Sequence, residues 1–251
     1  MPSSRPTDTV GLIASLISSQ ARSTKTYTRY RAPLVAFARA DDPRFDQLPS
    51  FIPRHMHPLD LLPDARSVCA FFLPFDESIV AANSDGDLAS RVWARAYVET
   101  NELLARICQK LSDELGERGI RAAWEPPTHN FDPVLLESTW SHKSVAAIAG
   151  LGQFGHHHML ITRSGCAGRL ASIVLDADVP PTSSGDGSYC SFDRGCRACI
   201  QRCPTGALTE SGLDRVRCYA RCLENDARFP GWLATVCGKC IAAPCALQMS
   251  D

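Results

Sequence analysis

The chain has almost no net charge and no long apolar run. Its 26 Lys and Arg residues against 27 Asp and Glu leave −1 at neutral pH, so no global field draws a polyanion, and a nucleic acid would need a local basic patch. The longest apolar stretch near the start, residues 10–17, is too short to span a bilayer and has only Arg5 ahead of it. No twin-arginine pair and no clear small-residue cleavage site accompany it, so it reads as an ordinary amphipathic helix and not as a signal peptide. Internal repeats and coiled-coil heptads are missing too. With 45% hydrophobic and 21% charged residues, the composition excludes a disordered or fibrous chain.

Cysteine, by contrast, is abundant. There are twelve, and nine of them lie between Cys190 and Cys245, with Cys69, Cys108 and Cys166 scattered over the rest. The absence of export signals implies a cytoplasmic, reducing setting, where so many thiols argue for metal ligation over disulfides. The chain therefore divides in two. At 251 residues it accommodates one domain of about 180 residues with a small appendage. The turn-rich stretch at 180–187 (PPTSSGDG) is the natural boundary, giving 1–182 and 183–251.

The first part alternates helix and strand. Thr7 or Asp8 is placed to cap a helix running to about Arg22. Residues 66–73 form a short apolar run expected as a buried strand. From 87 to 117, Leu104, Ile107, Cys108, Leu111 and Leu115 recur at helical spacing, and Gly116 and Gly119 suit the helix end. Strands are expected at 120–124, 159–162 and 170–175, with a helix around 141–149. The class is α/β.

In the second part, CRACIQRCPTGAL at 196–208 supplies Cys196, Cys199 and Cys203 at x2 and x3 spacing, the last followed by proline. These match the final three positions of the run C-x2-C-x2-C-x3-C-P that wraps a 4Fe-4S cubane and sends its proline-linked cysteine to a second cluster. Asp193 occupies the expected first position, and the nearest upstream cysteine is Cys190. Downstream lie Cys218, Cys222, Cys237, Cys240 and Cys245. The crossover rule assigns Cys190, Cys196, Cys199 and Cys245 to one cubane and Cys203, Cys218, Cys237 and Cys240 to the other. Nine cysteines serve eight positions. Cys218 and Cys222 are four apart, one turn of a helix, so one serves as a ligand and the other packs as a small hydrophobe. A zinc site from Cys196, Cys199, Cys237 and Cys240 is chemically sound, but it strands five cysteines.

GLGQFG at 150–155 matches the string of dinucleotide-binding folds. Its context is wrong for one, because it leaves a helix and enters a strand. Its glycines let backbone approach something flat or bulky. Cys166 reads as buried and unreactive, apart from the ligands.

LLPDARSV at 61–68, NFDP at 130–133, AGLGQFG at 149–155, MLI at 159–161 and then CRACIQRCPTGAL, in that order, resemble the epoxyqueuosine reductase family and its cobalamin-dependent iron-sulfur relatives, the reductive dehalogenases among them. The resemblance implies a nitroreductase-like α/β domain that binds cobalamin with its base away from cobalt, followed by a ferredoxin-like domain with two 4Fe-4S clusters. It implies single electrons passing from clusters to cobalt for reduction of a substrate, with epoxyqueuosine as one candidate. A corrinoid or electron carrier without turnover is the alternative. The implied partner is a low-potential donor such as ferredoxin or flavodoxin. The charge of −1 and the short run after Cys245 count against tRNA.

The family's proton donor corresponds to Asp132, whose carboxyl is expected to have its pKa raised beside an apolar corrinoid face; the alternative is an aspartate in a turn opened by Pro133. Trp140, Gly150, Gly152, Gln153, Phe154, Gly155, His156 and His158 are the expected cofactor contacts. On a strand, His156 and His158 share a face and His157 points away. Cobalt ligation, cofactor contact and simple packing all remain open for this pair, and His142 and Lys143 are placed near the same pocket.

Overall fold

The computed structural model describes residues 6–183 and 189–247. Residues 184–187 of the expected boundary lie outside them. Four antiparallel strands make the main sheet: β1 (Leu34–Arg39), β2 (Ser67–Pro74), β3 (Ala122–Ala123) and, after the hairpin strands β4 (Gly152–Phe154) and β5 (Leu160–Thr162), β6 (Gly168–Leu175). Their order across the sheet is β1-β2-β6-β3. Every residue of β2 is buried, as a central strand covered on both faces requires.

Period-two alternation then sorts its side chains. Cys69, Phe71 and Leu73 face one layer, where they meet Ile13 and Ile17 of helix α1 (Pro6–Ser23) and Leu104, Ile107 and Leu111 of α2 (Arg91–Gly116). Val68, Ala70 and Phe72 face the other, against Trp140, Val145 and Ala146 around α3 (His142–Ile148). The result is a helix, sheet, helix sandwich. Truncating Leu111, which is fully buried, would cost about 2–5 kcal/mol.

The expected helix over 87–117 is α2. Ser90 caps it by accepting a hydrogen bond from the Trp93 N–H at 3.1 Å, and Gly119 turns the chain away at φ +76°. The described part of α1 corrects the sequence reading: it already includes Pro6, Thr7 and Asp8, so Thr7 and Asp8 lie within the helix and not at its cap. Cys69 and Cys108 are core residues whose thiols burial pushes up, Cys108 to about 12.

The cysteine-rich segment packs directly on this sandwich. Ile241, Ala242 and Ala246 share a core with Phe75, Trp93 and Ile161. The N–H groups of Cys166 and Ala167 donate to the carbonyls of Cys245 and Ala246 at 2.9 and 3.0 Å. Lys239 is buried, and its ammonium donates to the carbonyls of Asn83 and Asp85 at 3.0 and 2.7 Å. Near the expected boundary, Thr182 is tied to β1, donating its N–H to the Phe37 carbonyl and accepting the Phe37 N–H.

Candidate functional site

The cysteines are carried by short, tightly turned pieces of chain. A 3-10 turn (Phe192–Arg194) closes at Gly195 with φ +91°, the one-turn helix Ala198–Gln201 holds Cys199, and Pro204 ends the segment after Cys203. The two-residue hairpin Leu208–Thr209 with Gly212–Leu213 leads into α4 (Arg215–Ala227), which carries Cys218 and Cys222, with the Asp214 carboxylate accepting the Arg217 N–H at its start. The loop after α4 brings in Cys237, Cys240 and Cys245.

The thiols lie close enough to act on one another. Burial and then the Cys245 charge push the Cys199 thiol up, with Cys190 acting on it as well. Burial and then Cys237, Cys218, Cys203 and Cys199 raise Cys240. Cys203 is different. Burial is its largest influence, but its sulfur accepts the Leu208 N–H at 3.3 Å and lies 3.7 Å from the Thr205 hydroxyl, and together these contacts lower its pKa. Backbone N–H groups aimed at a sulfur stabilise a thiolate. On α4 the pair divides its roles: the hydrogen bond from Cys222 lowers Cys218 to about 7, while the same bond holds Cys222 as a neutral thiol.

Cys245 has two close neighbours that sequence reasoning did not place there. His157 Nε2 lies 3.3 Å from its sulfur, and Cys166 Sγ lies 3.9 Å from it. The Cys166 bond, then His157, lowers Cys245 to about 5. Cys166 is buried as expected, but it is not apart from the other cysteines: with His157 and Cys245 it forms a set whose ligand atoms lie within 4.8 Å of one another.

His157 reaches that position because residues 155–158 turn back on themselves, with the His158 N–H donating to the Gly155 carbonyl and His158 at φ +60°. This overturns the strand reading. His156 and His158 do not share a face: the His156 ring stacks on Phe192 at 3.7 Å and its Nε2 lies 2.7 Å from the Thr209 carbonyl, whereas His158 faces a cavity.

That cavity, about 500 Å³ in volume, lies where the sandwich meets the cysteine-rich segment. Trp140, His142, Lys143 and Arg169 contribute from the first part, Cys218 and Cys222 from the second. Ser172 Oγ accepts the Trp140 Nε1–H at 2.9 Å and lies 2.8 Å from His142 Nδ1. Burial drives His142 down to about 4 and also lowers Lys143, whose ammonium donates to the His158 carbonyl at 3.0 Å.

Of the expected cofactor contacts, Trp140 and His158 line the cavity. Gly150, Gly152, Gln153, Phe154, Gly155 and His156 lie outside its lining. A Cβ at Gly152 would collide with the Ile161 backbone, and one at Gly155 would crowd the Ile161 and His157 side chains. The close approach these glycines permit is therefore to the chain's own β5 and turn.

No family model matches the sequence. An epoxyqueuosine reductase of Leadbetterella byssophila is 26% identical over 169 residues, 66% of this chain and 51% of the relative. One from Synechococcus sp. (strain CC9605) is 31% identical over 172 residues, 67% of this chain and 49% of that protein. The chain resembles the epoxyqueuosine reductases. It spans about half the length of the curated relatives it matches.

Among solved structures, the Bacillus subtilis epoxyqueuosine reductase aligns with 95% of this chain and 66% of its own at a TM-score of 0.58 and 20% identity. A reductive dehalogenase described in terms of B12-dependent dehalogenation aligns with 94% of this chain and 36% of its own at 0.57 and 14%. At these identities the likeness is one of fold, a mixed α/β fold common to both kinds of enzyme. No helix among the described residues is long and apolar enough to cross a membrane.

The resemblance to epoxyqueuosine reductases draws attention to Asp132, and here the structure departs from expectation. Its carboxylate accepts the N–H groups of Val134 and Leu135 at 2.8 and 3.0 Å and pairs with Arg54 at 3.2 Å. The backbone bonds come first in lowering its pKa, with Arg54 adding to them. The side chain is not desolvated against an apolar face. It closes an Asx turn outside the cavity lining, although its neighbours Asn130, Phe131 and Glu137 are part of that lining.

Proposed function

We propose that the chain is a cobalamin- and 4Fe-4S-dependent reductase, with a nitroreductase-like domain over 1–182 and a ferredoxin-like double-cluster domain over 183–251. The observation that carries this reading is the cavity between the two parts, walled by Cys218 on one side and by the Trp140 and His142 region on the other. A carrier without turnover has no need of a cavity of this size beside its cysteines.

The donor set suits two cubanes. Cys190, Cys196, Cys199 and Cys245 would hold one, and Cys203, Cys218, Cys237 and Cys240 the other. The hydrogen bond from the Leu208 N–H to Cys203 favours a thiolate there, and the lowered pKa of Cys218 favours it over Cys222 as the ligand on α4. For the corrinoid, the apolar part of the walls fits, with Phe72, Phe131, Trp140 and Leu170, and exposed Phe154 lies near the lining residue Lys143, 5.9 Å from its ammonium. When bound, these groups supply single electrons and a reducible cobalt. The chain's own residues wall one side of the bound groups, and Asp132 serves as the proton donor. That role requires its turn to release the Val134 and Leu135 N–H groups. One structural relative is described with its catalytic aspartate loop swung out of the active site, and we read the Asp132 turn as such an outward position.

The substrate is not tied to tRNA by charge, yet a second reading has support. Arg215, exposed at the start of α4, lines the cavity and lies 4.0 Å from Glu137, a cation placed where a phosphate could be met. A further structural relative is described with an epoxyqueuosine-modified tRNA stem loop, so such a stem loop is a substrate to test. A ferredoxin or flavodoxin would deliver the electrons.

The test is cobalamin binding by the anaerobically reconstituted chain, followed by turnover. The account expects a base-off corrinoid and substrate reduction that Asp132→Asn slows about 100-fold or more without changing corrinoid affinity. Tight corrinoid binding and cluster reduction without turnover of any substrate would favour the carrier.

A further inference from the structure

The start of α2 carries a surface that neither the core nor the cavity uses. Residues 91, 94, 95 and 98 lie along one stripe of the helix, and Ala94 and Val98 pack there against Phe229, Trp232 and Ala234 of the loop after α4. The two arginines of the stripe then cover the rings of that loop. The Arg91 guanidinium carbon sits 4.7 Å from the Trp232 ring centroid, and that of Arg95 reaches two rings, Tyr27 at 4.3 Å and Trp232 at 5.5 Å. Phe229 stacks on Trp232 at 5.5 Å, with Arg228 over it at 5.6 Å. Three apolar side chains stand out around this ladder: Tyr27 is 78%, Leu233 67% and Val92 49% exposed. Leu233 holds φ +51°, a backbone that a branched side chain rarely adopts.

The charge here is unbalanced. Arg91, Arg95 and Arg228 form no ion pair among the described residues. Exposed Lys25 and Arg29 flank Tyr27 in a segment, residues 22–31, that contains no acidic side chain. The Glu99 carboxylate beside Tyr27 is already engaged, accepting the Thr28 N–H and hydroxyl at 2.8 and 2.6 Å. The first turn of α2 has no acidic residue and opens on Arg91, a cation set against the helix dipole. Arginine and aromatic side chains are what interface centres are built from, and stacking orders these arginines before any partner arrives, which reduces the cost of binding.

The surface adjoins the cysteines and not the cavity. The loop bearing Trp232 and Leu233 runs on to Cys237, and Trp93 of the same helix end packs against Gly238. Cys237 shares its proposed cubane with Cys218, which lines the cavity, whereas no residue of this surface does. A protein seated here leaves the cavity free.

We propose that this surface docks a small acidic electron-carrier protein, whose carboxylates meet Arg91, Arg95 and Arg228 and whose apolar rim covers Tyr27 and Leu233. Complementary charge steers such encounters, and electron-transfer contacts are small, under about 1,200 Å² in total, so a few side chains are enough. In each encounter one electron leaves the reduced carrier, which is oxidised, and one cluster is reduced; no bond forms or breaks. This names the delivery surface of the proposed reductase and rests on that reading, but docking is measurable without turnover.

The cluster-reconstituted full chain is titrated calorimetrically with an acidic plant-type 2Fe-2S ferredoxin, and its reduction by that ferredoxin and by the methyl viologen radical is followed by stopped flow. Arg91→Glu combined with Arg95→Glu is expected to weaken ferredoxin roughly tenfold or more and to slow its electron delivery alike, with reduction by methyl viologen unchanged. Raising the salt concentration should weaken ferredoxin in the parent chain too. Acidic residues suit a helix start, so α2 is expected to persist. Where the double variant fails to fold, Leu233→Asn, which suits a left-handed backbone, removes an apolar anchor and is also expected to weaken ferredoxin. Ferredoxin binding and delivery untouched by these substitutions, with methyl viologen still reducing the clusters, overturns the proposal and leaves the reductase reading standing. A single-stranded oligonucleotide that binds through these arginines more tightly than ferredoxin also overturns it, since the stacked rings would then serve bases. Ferredoxin binding that needs these arginines, in a chain that takes up no clusters, supports the docking surface and ends the reductase reading.

Discussion

The Gly238 backbone lies against the indole of Trp93, so close that a Cβ at position 238 would stand 2.2 Å from its Nε1 and 2.3 Å from its Cε2. Gly238 also has φ +72°. Two independent constraints therefore exclude any other residue between Cys237 and Lys239. Gly238→Ala is expected to destabilise the chain by about 2–4 kcal/mol, combining overpacking with left-handed backbone strain. Thermal unfolding checks the stability. Because the same loop carries Cys237 and Cys240, iron content after reconstitution should fall with it.

His142 provides a pH dependence whose sign is fixed. Burial holds its pKa at about 4, below the ordinary 6.5. Between these values the unfolded chain binds the proton and the folded chain does not, so stability present above pH 6.5 is lost as pH falls toward 4. The loss is about 3 kcal/mol over that window. Chemical denaturation at pH 7 and pH 5 should capture about 2 kcal/mol of it, and the slope should flatten in His142→Asn.

The thiol pair on α4 makes a separate prediction. Cys218→Ser should remove one cluster, whereas Cys222→Ser should leave both, because the lowered pKa belongs to Cys218. Likewise, Cys203→Ser and Cys199→Ser should damage different clusters, by the crossover of the proline-linked cysteine. Electron paramagnetic resonance of the reduced variants separates these outcomes.

His157 is expected to tune the cluster that Cys245 serves. Its Nδ1 accepts the Met159 N–H at 3.1 Å, so the neutral ring carries its proton on Nε2, facing the Cys245 sulfur at 3.3 Å. An N–H bond to a ligating sulfur stabilises the reduced cluster. His157→Phe should lower one reduction potential and leave the other unchanged, as redox titration would show.

Much of this architecture was legible in the sequence, because burial writes itself as periodicity. The apolar positions of α2 and the run at 66–73 locate the core helix and central strand, and glycine punctuation locates their ends. Edge strand β1 went unread: LVAFAR is short, and only its place beside β2 makes it a strand. The cysteines were legible as a set because spacing and proline carry the chemistry. Their surroundings were not. His157 was discounted by strand alternation, which the turn at 155–158 defeats. Asp132 was legible as a candidate, but its Asx turn, a local hydrogen-bond preference, sets its charge state here.

The measurement that tests the account most directly is iron, acid-labile sulfide and zinc in the anaerobically reconstituted chain. The account predicts close to two 4Fe-4S clusters per chain, with zinc absent. Stoichiometric zinc without sulfide would contradict it, leaving the paired cysteines as a structural metal site with no electrons to deliver to the cavity.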